Sequence, residues 1–103
     1  MKLMTKAIEK KFKKYPLYSQ ETKGLDAEVV VKFFNPCGST TILVTEGEKQ
    51  EQENDWLFFG YIKTDYEYEW GFIRLSDFEN IKLPFGLKFE RDIYSEGTVR
   101  ELM

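Results

Sequence analysis

The segment Trp56-Leu57-Phe58-Phe59-Gly60-Tyr61-Ile62 is apolar at odd and even positions alike. Successive side chains of an extended chain point to opposite faces, so this stretch carries apolar groups to both sides of any sheet it joins. It therefore predicts a central strand covered on both faces. The chain that must supply the cover has 103 residues. The surface relation for folded monomers gives roughly 6,100 Å² against about 17,800 Å² for the open chain, which allows one modest core and not two. One domain spanning residues 1–103 is the expectation, with a sheet and helices sharing a single core.

The remaining elements follow from periodicity and punctuation. Met4, Ile8, Phe12 and Tyr15 form one apolar stripe at helical spacing, which predicts an amphipathic helix over residues 5–15, capped by Thr5 and stopped by Pro16. Val29 to Phe34 and Thr40 to Thr45 read as two strands of a hairpin around the turn Asn35-Pro36-Cys37-Gly38. Glu46 to Asp55, with five acids and one lysine, reads as a polar loop before the Trp56 strand. A turn at Lys63-Thr64-Asp65 leads to a fourth strand over Glu69 to Leu75. Ser76 and Glu79 have capping-box spacing, which predicts a short helix near residues 76–82. Leu87, Phe89 and Ile93 then alternate with polar residues as on a half-buried strand, with Arg91 on the apolar side, and the tail from Ser95 carries no assignment. The fold class expected is α+β: an antiparallel meander of four to five strands, an N-terminal amphipathic helix and a second short helix.

Composition excludes more chemistry than the motifs include. The chain has no histidine, which removes histidine-based triads and histidine-ligated zinc, and its one cysteine, Cys37, removes paired-cysteine redox and metal motifs. Gly60, Gly71 and Gly86 stand singly, and no phosphate-cradling glycine loop occurs. No catalytic residue, cofactor or metal is expected. No apolar run approaches the ~20 residues that cross a bilayer, and the N-terminus runs into lysines, so no membrane association and a cytoplasmic location are expected.

Charge is unevenly distributed. Residues 1–23 contain seven lysines and two glutamates, whereas the rest of the chain is acidic. Lys6, Lys10, Lys13 and Lys14 would give the first helix a basic side able to meet nucleic-acid phosphates, although a solvated helix face is the simpler reading and arginines for base recognition are lacking. The acidic stretches 46–55 and 65–69 fall in successive loops of a meander and so belong at opposite ends of the sheet. In extended form Asp65, Glu67 and Glu69 would share a face, a spacing that suits a hard cation but more simply a solubilising hairpin end. The first helix can cover only one side of the sheet. The other side falls to the short helix, the C-terminal segment or a partner, and the nine Phe, six Tyr and two Trp fit either a core of large rings or a partner surface. Asp65, Tyr66, Glu67, Tyr68, Glu69 and Trp70 are the candidate protein-binding residues, with Tyr66, Tyr68 and Trp70 as anchors and the glutamates at the rim.

The blocks Gly24-Leu25-Asp26-Ala27, Val29 to Phe34, Pro36 and Gly38 are followed in order by Glu46-Gly47-Glu48, Phe58-Phe59-Gly60, and Gly71 with Leu75-Ser76-Asp77. Gly86-Leu87, Glu90-Arg91-Asp92 and Tyr94 complete the series. Over about residues 3–94 this ordered set resembles a family of short single-domain bacterial proteins catalogued as a domain of unknown function. Members occur on plasmids, conjugative elements and phages, so the resemblance implies mobile-element biology and supplies no catalytic residue. The function expected is a small non-enzymatic binding protein of a mobile element that acts by occlusion on a host or element-encoded protein, such as a nuclease-based host defence system. The alternative is a nucleic-acid-binding accessory that sets the four helix lysines on phosphates and an aromatic face on the bases.

Overall fold

The computed structural model describes residues 2–92 and 95–103. Its elements in chain order are α1 (Lys6–Phe12), β1 (Val31–Phe34), β2 (Thr41–Gln50), β3 (Asp55–Lys63), β4 (Tyr68–Arg74), α2 (Leu75–Glu79), β5 (Glu90–Asp92) and α3 (Val99–Leu102). The strands form one antiparallel sheet in the order β4-β3-β2-β1-β5, so β1 to β4 make the expected meander and β5 returns to pair with β1. The doubly apolar segment lies in β3, hydrogen-bonded on both sides.

A single irregularity in β2 sets what each face contains. The register runs Val44 opposite Gly60 and then Glu46 opposite Phe59, leaving Thr45 as an extra residue. Without that bulge, the alternation that sends Ile42 and Val44 into the core would send Glu46 there too. With it, Glu46 turns to the opposite face and Gly47 takes the core position beside Phe58. The substitution of faces matters because α1 lies over this point. A Cβ on Gly47 would stand 2.9 Å from both Phe12 Cε1 and Phe58 Cδ1, so the absent side chain is the space in which the Phe12 ring packs.

The core on this side is an aromatic cluster. Phe12 contacts Trp56 and Phe58 at ring centroid distances of 5.4 Å each, Phe33 lies 5.1 Å from Phe78, and Phe78 lies 5.5 Å from Phe89. Ile8, Val31, Ile42, Val44 and Leu75 fill the gaps between the rings. Aromatic rings bury large areas at little entropic cost, which suits a chain this short.

Several expectations change at element ends. The first helix stops at Phe12 and not at residue 15, and its last turn tightens through bonds from the Lys14 and Tyr15 N–H groups to the Lys11 and Phe12 carbonyls. The residue before a proline avoids the helical region, which accounts for the early exit ahead of Pro16. Thr5 caps as expected, accepting from the Ile8 N–H at 3.2 Å. The polar stretch 46–55 is not a loop throughout: β2 continues to Gln50, and the turn is confined to residues 51–54. The second helix begins at Leu75 and ends at Glu79, because burying both Leu75 and Phe78 fixes its register. Asp77 Oδ2 accepts from the Arg74 N–H at 2.8 Å, so Asp77 does the work predicted for a Ser76–Glu79 box. The predicted strand around 87–93 shrinks to β5, with Phe89 buried and Leu87 exposed, while Ile93 lies outside the described residues. Arg91 reaches the N-terminal segment, donating to the Lys2 carbonyl at 2.6 Å and the Leu3 carbonyl at 3.2 Å. The tail forms α3, opened by a reciprocal Thr98–Glu101 capping box and anchored by the fully buried Val99.

The steric argument gives a paired expectation. Gly47→Ala is expected to cost about 1–3 kcal/mol through overpacking, whereas Gly71→Ala, whose new methyl would meet only Ile62 Cδ1 at 3.7 Å, stays near wild type; urea unfolding of the two variants measures the contrast.

Candidate functional site

The two faces of the sheet are covered unequally. One carries α1, α2 and the Phe89 segment. On the other, α3 and the 3-10 turn Gly24–Asp26 cover the β1–β2 half through Ala27, Val29, Leu43 and Val99, with Leu25, Tyr61 and Leu102 at the margin. The β3–β4 half of that face remains open.

The open half is a ladder of rings. Register places Phe72 opposite Phe59, Trp70 opposite Tyr61 and Tyr68 opposite Lys63. Phe59 stacks on Trp70 at 5.8 Å with planes 11° apart and meets Phe72 edge-on at 4.9 Å. Tyr61 lies 5.0 Å from Trp70 and 5.6 Å from Tyr68. The rings hold one another in place yet remain accessible: Trp70 is 37%, Tyr68 48% and Phe72 50% exposed. At one end Lys63 Nζ sits 5.3 Å above the Tyr68 ring, a cation–π contact. At the other end Arg74 pairs with Glu53.

A sixth ring comes from outside the sheet. Tyr18 contacts Phe72 edge-on at 6.2 Å. Its backbone is left-handed, with φ 71°, an unusual state for a bulky residue. It is anchored by Glu46, the residue that the β2 bulge turned onto this face. Its carboxylate is 2% exposed and accepts from the Tyr18 N–H at 2.6 Å through Oε1 and from the Gln20 N–H at 2.9 Å through Oε2. Gln20, itself buried, donates to the Glu28 and Thr45 carbonyls at 2.9 and 2.8 Å and accepts from the Glu28 N–H at 2.8 Å. Two buried polar side chains thus meet five backbone groups and fix the loop that presents Tyr18.

The residues predicted from sequence divide between three places. Tyr68 and Trp70 belong to the ladder. Asp65, Tyr66 and Glu67 form the turn beyond it, where Asp65 accepts from the Ser39 hydroxyl, Glu67 supplies its carbonyl to the Thr64 N–H, and Tyr66 is 96% exposed. Glu69 pairs with Ile62 and points to the opposite face from Tyr68 and Trp70. The expected sharing of one face by Asp65, Glu67 and Glu69 fails because the chain turns at Asp65 and is not extended there. Phe59, Tyr61, Phe72 and Tyr18 were not anticipated. Strict alternation from Tyr68 reaches Phe72 and could have found it, whereas Tyr18 carried no local signal.

Lys6, Lys10, Lys13 and Lys14 are all exposed, on or just beyond α1. That helix packs on the sheet face opposite the ring ladder, through Ile8 and Phe12. Lys10 and Lys14 join Lys11, Glu28 and Glu96 around an open groove of about 560 Å³ between α1 and residues 28–30. The basic side and the aromatic face are therefore separated by the sheet. Cys37 is exposed in its turn, where its N–H donates to Asn35 Oδ1 at 2.7 Å. The acidic turns 51–54 and 64–67 lie at opposite ends of the sheet, as the meander requires.

Asp55 ties the end of the ladder to α2. Burial raises its pKa, but the Ser76 hydroxyl at 2.5 Å, the N–H groups of Trp56 at 2.8 Å and Ser76 at 3.2 Å, and the Arg74 charge outweigh that and leave it lowered.

A family model described as "Protein of unknown function (DUF2958)" matches residues 3–101. The chain belongs to that family. Neither the curated proteins nor the solved structures yield a match. The DUF2958 match includes every residue of the ladder together with Glu46, Gln20 and Tyr18. Among the described residues, no helix is long and apolar enough to cross a membrane.

Two expectations follow from the polar contacts. Glu46→Ala removes a charged acceptor from two amides and is expected to lower stability by about 2–4 kcal/mol in urea unfolding, with a smaller loss for Glu46→Gln, which keeps one acceptor. Asp55 titrates lower folded than unfolded, so its contribution is present above its unfolded pKa and fades as pH falls through the folded value. The stability gap between wild type and Asp55→Asn should therefore be open at neutral pH and close below about pH 4 in thermal melts.

Proposed function

We propose that this protein is a non-enzymatic binding protein that docks a protein partner on the β3–β4 aromatic face. The observation that carries the reading is the ring ladder itself, five rings packed against one another on an open sheet with a sixth held over its edge by Glu46. Exposed apolar patches of this kind are uncommon on chains with nothing to bind, and aromatic groups already fixed in one conformation lose little entropy on association. Affinity would concentrate on Trp70, Phe72 and Tyr68, ringed by Lys63, Glu48 and the Arg74–Glu53 pair. The resemblance to proteins of plasmids, conjugative elements and phages supports a role on a bacterial mobile element, acting in the cytoplasm, with occlusion of a host defence nuclease as the candidate task.

Nucleic-acid binding is the second reading, since exposed rings on a sheet can stack bases. Its geometry is less favourable, because the helix lysines lie behind the sheet and one strand could not reach both surfaces without wrapping the edge.

Affinity capture from a bacterial lysate, comparing wild type with Trp70→Ala/Phe72→Ala, tests the first reading. Loss of the captured protein, by about tenfold or more in affinity, is expected. Identical recovery counts against the face. Titration with single-stranded DNA at low salt tests the second, which predicts a negative slope of log affinity against log salt that becomes shallower on neutralising Lys10 and Lys14.

A further inference from the structure

Accepting that the aromatic face is a protein-docking surface, we infer that its occupant is a basic segment of another protein, one whose arginine side chains lie on the ladder and reach its acidic rim. The argument comes from the charges around the rings and from what each already touches. The cations that border the open face have partners within the chain. Lys63 Nζ stands over the Tyr68 ring at 5.3 Å, and Arg74 pairs with Glu53. Lys32, which lines a small cleft with Tyr61 and Tyr68, pairs with Asp92 at 3.6 Å. Lys49 lies on the other face, opposite Trp56.

The acids are in surplus. Strand pairing sets Glu48 beside Leu57 on the open face, and the turns at the two ends of the ladder add Glu51 and Glu53 at one end, Asp65 and Glu67 at the other. All of these are exposed. Among the described residues, Glu48, Glu51, Asp65 and Glu67 enter no ion pair. The loop that presents Tyr18 carries Glu21 and Lys23 and adds no net charge. The ladder is therefore an apolar strip between two ends of net negative charge.

Such a surface selects by sign. A partner that brings carboxylates or phosphates to the rim meets unpaired like charges, whereas one that brings cations meets rings and acceptors together. The chain's own contacts display both halves of that recognition, an ammonium over a ladder ring at Lys63 and a guanidinium on a rim carboxylate at Arg74. Arginine can make both contacts at once, because its planar, weakly hydrated guanidinium stacks on aromatic rings while its N–H groups reach carboxylates. Arginine and aromatic residues are also the groups in which interface affinity concentrates.

Panning a displayed library of random short peptides over the full chain, with Trp70→Ala/Phe72→Ala as the counter-selection, measures the outcome. The expected result is enrichment of peptides carrying several arginines, held by wild type and lost by the double variant. In fluorescence anisotropy the best of them should bind Glu48→Lys/Glu67→Lys about tenfold or more weakly. It should also weaken several-fold when its arginines become lysines, and further as salt rises. These substitutions lie on the surface, and near-ultraviolet circular dichroism checks that each variant is folded. Enriched peptides without an excess of basic residues overturn the inference, as does a library that yields no face-dependent peptide. So do basic peptides indifferent to the aromatic substitutions or to the charge reversals. Self-association or single-stranded DNA binding that is lost in Trp70→Ala/Phe72→Ala also overturns it, since a second copy or a nucleic acid then holds the face. The docking reading fails separately: it falls if neither a peptide nor a captured protein depends on Trp70 and Phe72, and it stands if a captured protein depends on them while the enriched peptides are not basic.

Discussion

The extra residue in β2 is the constraint on which the rest of the architecture depends. One unpaired residue, Thr45, exchanges the faces of Glu46 and Gly47. On the core side the exchange puts a hydrogen atom where α1 must lay Phe12 against Phe58. On the other side it delivers a carboxylate to the loop after α1, which then closes over the sheet with its amides satisfied. Slipping the register back would bury an acid among five phenylalanines and leave two amides unpaired, each a cost of order kcal/mol. Helix placement and loop placement are therefore one decision made in the strand.

The periodic part of this arrangement was legible in the sequence. Alternation and turn chemistry located β1 to β4 in order, the 3.6-residue stripe located α1, and the doubly apolar run identified β3 as an interior strand. What escaped was whatever depends on contacts distant in sequence. The bulge leaves no local signature, so Glu46 read as one more acid in a polar loop. The register of α2 was set by burial of Leu75 and Phe78 against the sheet, which overrode the capping pattern at Ser76 and Glu79. Thr98-x-x-Glu101 is a capping signal of the same kind, and there the pattern does open a helix.

The candidate site was half legible for the same reason. Tyr68 and Trp70 could be picked out as aromatic residues in an acidic hairpin, but the surface is defined by strand pairing, which brings Phe59 and Tyr61 beneath them and sends Glu69 behind the sheet. Grouping residues 65–70 by adjacency mixed three surfaces. The helix lysines and the aromatic face likewise lie on opposite sides of the sheet, a separation that charge counts along the chain do not reveal. Strand pairing alone assigns each ladder residue to a face.

Glu69 has a further consequence for how the molecule can associate. β4 ends the sheet, and a terminal strand offers its unpaired backbone groups to any extended chain that passes. Glu69 stands on the core-facing side of that strand, beside Ile62. A chain annealing there would extend the sheet past a carboxylate and lose part of its hydration, a deterrent to indefinite lateral growth into fibrils. The acid that took no part in the ring surface thus guards the sheet edge against strand addition.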